Sequence, residues 1–596
     1  MNPFARARFH FAGSLLLTLA LSACSPSRPP SIGRDGGLDA TTRDARGTDV
    51  TFPDTGPPAP PPCTPGELIC DGNTFSECGA DGTTRLNPEV CTQVCNPGVG
   101  CGICEIGGRT CDGNVSRICN ESGDTTYYGR DCSELGASCN ADGYCDDECG
   151  AAEGANSYLG CEYWVPVLPN GAANLDGVTV EGPATWRARF DVRVVVANTG
   201  DSAATVTLTQ NGAMLSTHTV EPGAAQDIVI PWNPAAATAS SYSDMPVRVV
   251  SDRPITMAMF NPFEYSAGGG FSFSNDASLL FPAHTYQRSF VATAYTPTAS
   301  LPGFVSIVAT QDTMINVRPT ASVTAGGPVP GGIAPGAVAT FPMTRGQHVA
   351  LQGGDLSGTR VEATAPVAVF SGTQCSNIPA GFTACDHIES QMPPIETWSI
   401  QYVGAAMGEV GARRRNPVRI FAAVNGTTVT INPPPPTGGI ITLNDGEFYE
   451  VVLEDGFVIA GDNPILVAQY IPGQDFAGGD RGDPAMMVLP PTAQYRTDYP
   501  FVAPTSYNAG TNGQNFVLLI RSPGQNVNLD GAMLSALWTP VGEFEWAIVP
   551  INGGAHRLSA DEPFGAISYG LGTYTSYAYP TGLDLEVEYV PPPVLL

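Results

Sequence analysis

From about residue 150 to the C-terminus, apolar and polar positions alternate in short runs separated by Gly, Pro and Asn turns, and no helical period is present. Runs such as "VRVVVAN", "FVSIVAT", "VRIFAAV" and "FVLLI" have the alternation and β-branched content of strands. Each is followed within about ten residues by a second run, "ATVTLTQ", "TMINVRP", "TVTINP" or "NVNLDG", which is the pattern of hairpins. The pattern predicts a mainly β region over residues 149–596.

That region repeats itself. "VRVVSDRPITMAMF", "TRVEATAPVAVFSG", "FVIAGDNPILVAQY" and "HRLSADEPFGAISYG" share an alternating strand, a turn ending in proline, and an almost wholly apolar strand. Their prolines, Pro254, Pro366, Pro464 and Pro563, are spaced by 112, 98 and 99 residues. A second marker lies between them: Pro282, Pro394 and Pro491 are followed at +4 by Tyr286, Trp398 and Tyr495, and at +8 by Phe290, Tyr402 and Tyr499. Two markers in register predict four units of about 100 residues. Roughly six or seven strands per unit suit an Ig-like or jelly-roll sandwich better than a propeller blade of about 40–50 residues. A four-bladed, propeller-like ring with large insertions is the alternative. The apolar second strand is expected to be buried on both faces. Proline, which has no N–H, fits its first residue and not its middle.

Upstream the pattern changes to cysteines. Those at 63, 70, 78, 91, 95 and 101 are echoed at 104, 111, 119, 132, 139 and 145, and "CDGNTFSEC" recurs as "CDGNVSRIC". Two modules, 63–103 and 104–148, are each too small for a sufficient core and would be held by cross-links contributing roughly 2–4 kcal/mol apiece. Zinc is the rival reading of Cys101 and Cys104, but that pair straddles the module boundary and no histidine lies near it. Six cysteines allow 15 connectivities, so the pairing inside a module stays open. The remaining cysteines, with Cys24 set aside, divide into Cys149 with Cys161 and Cys375 with Cys385.

The N-terminus reads as an export signal over residues 1–23: Arg6 and Arg8 precede the apolar "FAGSLLLTLALSA", which is shorter than the about 20 residues that span a bilayer. Leu21-Ser22-Ala23-Cys24 resembles the lipobox of bacterial lipoproteins, which implies lipidation at Cys24 and attachment to the membrane through acyl chains. A cleaved signal with a chance cysteine is the alternative. Residues 24–62, rich in Pro, Asp, Thr and Gly, form an expected disordered tether reaching on the order of 100 Å. Composition adds one exclusion: a formal net charge of -30 disfavours nucleic acid as a partner.

"FNPF", "NDASLLFP", "DLSGTRVEATAPVAVFSGTQC", "CDHIESQMPP" and "DPAMMVLPPTAQY" resemble, in order, the N-terminal domain of the IgGFc-binding protein family between about residues 180 and 580. The resemblance implies an extracellular recognition or adhesion module, and it brings no catalytic residues. Chemistry would have to come from "CDHIES", where Asp386, His387 and Glu389 sit beside Cys385. The plainer reading is a disulfide-closed loop whose polar groups bond to backbone. Arg481-Gly482-Asp483 matches an integrin-binding tripeptide but also reads as a turn. Aspartates in "SNDAS", "LNDGEF", "EDGF" and "AGDNP" suit calcium or hairpin turns. The expectation is therefore an exported lipoprotein of a bacterial outer membrane or cell surface, binding an extracellular protein or glycan, with no cofactor, metal or catalytic residue assigned. An envelope spacer and a surface-polymer hydrolase are the alternatives.

Overall fold

The computed structural model describes residues 63–589 apart from 121, 172–189, 232–238, 245, 266–274, 299–300, 383–384, 412–414, 478–480 and 505–511. The export signal, Cys24 and the tether lie outside the described residues.

Each sequence repeat folds around one long strand: Val247–Tyr265, Arg360–Ser376, Phe457–Ile471 and Gly554–Gly572. Pro254, Pro366, Pro464 and Pro563 mark the point where that strand leaves one sheet for another. In the second unit, the half before Pro366 pairs with the leading strand Gln287–Val291 and with Thr313–Arg318, while the half after it pairs with Gly303–Ala309 and Asp386–Gln391. The other three units repeat this antiparallel arrangement. A strand that changes sheets must interrupt its ladder, and proline has no N–H to leave unpaired there. The leading strand follows the corner with a matching register shift, from Ser399↔Ile465 to Gln401↔Ala460 in the third unit.

The +8 aromatic seals this corner. Tyr402 donates its hydroxyl to the carbonyl of Ile465, just past Pro464, at 2.6 Å. Tyr499 does the same to Phe564, and Tyr163 of the first unit to Ile255 at 2.6 Å. The second unit has Phe290 in that place. The other marker is a 3-10 turn, Ala283–Thr285, Ile395–Thr397 or Thr492–Gln494, that links one unit to the next.

Each unit is thus a two-sheet sandwich, and the four sandwiches close into a ring. The final strand of each unit, Ala277–Leu279, Asp386–Gln391, Ala485–Val488 or Thr575–Pro580, touches its neighbours in turn, and the last touches the first. These are the axial strands. The second half of each long strand is buried on both faces because one face fills its own sandwich and the other packs on the preceding unit. Val367 and Val369 lie in the second unit's core, whereas Ala368 and Phe370 join the first unit's. Tyr577 and Tyr579 of the fourth unit join that same first core and complete the circle. The expected sandwich and its ring alternative are both present, at different levels of the structure.

Residues 581–589 run back across the linkers: Asp584 N–H donates to Gln494, Leu585 N–H to Asn156, and Glu588 N–H to Glu396. The two cysteine modules share one connectivity, first to third, second to fifth and fourth to sixth: 63–78, 70–95 and 91–101, then 104–119, 111–139 and 132–145. Helix Glu148–Gly154 follows, capped by Asp147, whose carboxylate also receives both terminal nitrogens of Arg130 at 2.6 and 3.0 Å. A Cys149–Cys161 disulfide ties the helix to the first leading strand, and Tyr128 N–H donates to Gln311 of the second unit.

Removing the Tyr402 hydroxyl leaves a buried carbonyl without its donor. Tyr402→Phe is expected to destabilise the chain by about 1–3 kcal/mol in chemical denaturation, while Phe290→Leu, with no hydroxyl to lose, should show only its packing cost.

Candidate functional site

The chemistry-bearing residues collect on the ring axis. Asp276, one residue before its axial strand, is fully buried and its two oxygens accept four backbone N–H groups, one from each unit. Ala277 and Ala578 donate to Oδ1 at 2.8 and 3.4 Å, and Glu389 and Met486 to Oδ2 at 3.1 and 2.8 Å. The donors from the second, third and fourth units occupy equivalent register positions, opposite Gly372, Tyr470 and Tyr569, each six residues after its bend proline. Burial pushes the Asp276 carboxyl well up from the usual carboxylate range, and the four donors pull it back.

Around it stand Asp386, His387, Glu389 and Asp483, all buried. His387 Nε2 lies 3.0 Å from Glu389 Oε2, and its ring stacks on Phe304 with an interplanar angle of 9°. This is the spacing a general base requires, but both side chains have no exposed surface. Burial holds His387 down at about 3 and pushes Glu389 up, with the neighbouring Asp276 carboxylate adding to the rise. Burial also raises Asp386, with Asp483 adding to it. Cys375 and Cys385 form a disulfide that closes the loop leading into this strand. At the other end of the axial strands a small apolar pocket is lined from every unit, by Leu279, Gln391, Val488 and Pro580 among others.

Other motifs resolve in the same way. Arg481 is engaged by Glu409 at 2.9 Å and Asp483 is buried, so the Arg-Gly-Asp tripeptide is not presented to solvent. Asp445 of "LNDGEF" receives Arg318 and Arg360 at 2.9 and 3.2 Å, and Asp462 of "AGDNP" accepts the Thr428 N–H at 2.8 Å. Among the described residues no group of three or more His, Cys, Asp or Glu side chains converges to hold a metal ion. His284, half-buried, and His348, buried, are held down at about 3 and 4. His556 has both ring nitrogens occupied, by Asp530 and the Asn552 carbonyl.

Sequence reasoning missed the central role of Asp276. "SNDAS" was read for calcium or a turn, and the equivalent positions Ile388, Ala485 and Tyr577 carry no acid, so no repeat pattern marks it. It also missed Arg419, which lies between the Tyr295 and Phe448 rings at 4.2 and 4.4 Å and bonds Asp355 and Glu450, joining the second unit to the third.

Residues 276–570 match the profile of a family described as IgGFc binding protein. The human IgGFc-binding protein is 25% identical over 237 residues, which is 38% of this chain and 4% of that protein's length. Among solved structures, a tetra-tandem repeat from the extending region of a large adhesion protein covers 65% of this chain and 92% of its own, at 11% identity and a TM-score of 0.08, a value that carries no argument about fold.

Two outcomes follow from the axis. Asp276→Ala leaves four buried N–H groups without an acceptor and is expected to cost at least about 3 kcal/mol, read by denaturant unfolding, with faster limited proteolysis between units. His387→Gln should flatten the acid limb of stability. With the folded value at about 3 and an unfolded value near about 6.5, protons bind the unfolded chain first, so stability is full above about 6.5 and falls as pH drops towards 3. Between about pH 6 and 4 the native chain should lose up to about 1.4 kcal/mol per pH unit more than the variant, measured as denaturant midpoints against pH.

Proposed function

We propose that this chain, whose residues 276–570 match the IgGFc binding protein family, is a non-catalytic module that binds an extracellular protein or glycan. The observation that carries this reading is the sealed axis. The His387–Glu389 pair has no exposed surface, so a substrate has no route to it, and Asp276 serves to join the units. What the ring turns outward is strand edges and loops, the parts of a rigid β scaffold that suit recognition.

Eight disulfides among the described residues support an extracellular setting. Among the described residues no helix is long and apolar enough to cross a membrane. In this reading Cys24 carries the lipid anchor, residues 24–62 form the tether, and the modules at 63–103 and 104–148 set the ring at 149–596 away from a bacterial outer membrane or cell surface.

The test is direct. Residues 63–596, immobilised and exposed to proteins and polysaccharides stripped from the native surface, should retain a saturable partner and release it chemically unchanged. Retention of nothing, or turnover of a retained polymer that His387→Gln abolishes, would overturn the reading.

A further inference from the structure

The four units are close copies, and one difference between them points to a docking edge. In each unit the strand that follows the outer hairpin lies at the margin of the sheet containing the axial strand: Ala225–Val229, His348–Gly353, Phe448–Leu453 and Phe544–Ile551. Two of these margins are covered. On the second unit, Ser241–Ser243 of the first unit adds antiparallel to His348–Ala350. Tyr242 there donates its hydroxyl to the Pro342 carbonyl. On the fourth, Thr539–Val541 folds back on Phe544–Trp546.

Two margins pair on one side only among the described residues: Ala225–Val229 of the first unit, with Arg193–Ala197, where the one acid, Asp227, is taken by Arg193, and Phe448–Leu453 of the third unit, with Asn416–Phe421. In the third unit the cause is loop length. The first unit donates its strand from the long connection 230–246, whereas the second unit has only residues 354–359 between the matching strands, too few to reach over as an extra strand. Exposure follows coverage: His348–Gly353 is buried throughout, while Phe448, Glu450 and Val452 are exposed.

An unpaired edge with exposed apolar side chains is a template for another strand. Charge selects among strands. Between Asn444 and Asp455 the chain carries Asp445, Glu447, Glu450, Glu454 and Asp455 and no base. Asp445 and Glu450 are taken by arginines of the ring, while Glu454 and Asp455 are exposed and have no ion-pair partner among the described residues. We infer that Phe448–Leu453 is a β-augmentation site for an extended, basic polypeptide segment of a partner protein, seated as Ser241–Ser243 is seated on the second unit. This rests on the binding reading above and specifies its partner as a protein.

Two synthetic peptides test it on residues 63–596: one alternating Lys and Thr with Val, and its counterpart with Glu for Lys. The basic peptide should bind at least tenfold more tightly at low salt and lose that advantage as salt rises. It should slow amide hydrogen exchange in Phe448–Leu453 while leaving His348–Gly353 unchanged. Val452→Lys, at an exposed position, should keep the thermal midpoint and abolish binding. Equal affinity for both peptides, no binding by either, survival of binding in Val452→Lys, or protection confined to other segments would each overturn the inference. A partner captured from the native surface equally well by Val452→Lys and the native chain would discard this edge and leave the binding function standing.

Discussion

A carboxylate removed from water has to be met by donors, and Asp276 is met by one backbone N–H from each of four units. A charge or proton so placed cannot be satisfied by any single sandwich. The arrangement therefore couples the position of each axial strand to that of the other three, and the ring stands or falls as a whole. The residues around it follow from the same constraint. Burial drives Asp386, Glu389 and Asp483 towards their neutral forms, and it holds the His387 imidazole well below its ordinary value beside Glu389.

Outward from the axis, stability comes from apolar area shared between units. The strand half after each bend proline has no solvent face: alternate residues fill the unit's own sandwich and its neighbour's, as Val367 and Val369 do on one side and Ala368 and Phe370 on the other. Corners sealed by Tyr163, Tyr402 and Tyr499 allow one strand to serve both sheets. Polar bridges such as Arg419 between Tyr295 and Phe448 then fix neighbouring units against each other. A body built this way presents loops and margins on a stiff frame, which suits recognition better than motion.

The cysteine modules reach the same end by another means. Too short to bury a core, they repeat one disulfide connectivity, and the second module docks on the ring through Tyr128 to Gln311, Glu134 to Arg248 and the Cys149–Cys161 bridge that follows it. Their offset, 41 residues for the first four cysteines and 44 for the last two, is visible in the chain, because a cysteine framework leaves its spacing in the sequence. Which cysteine meets which was not visible, because six thiols at those spacings satisfy many pairings and only the folded backbone brings 70 to 95 and 111 to 139.

By itself the sequence determined the local grammar: alternation for strands, proline where a strand must break its ladder, an aromatic at +8, and a period near 100 residues. These are readable because each acts within its own unit and so recurs. Tertiary structure alone decided that the units close into a ring, that His387 and Glu389 meet in a sealed core and not in a cleft, and that the margin at Phe448–Leu453 is left uncovered. Those outcomes depend on what lies across an interface from a residue. Asp276 shows why no pattern announces them: the axis holds one such carboxylate, so the residue on which the assembly depends is the one that does not repeat.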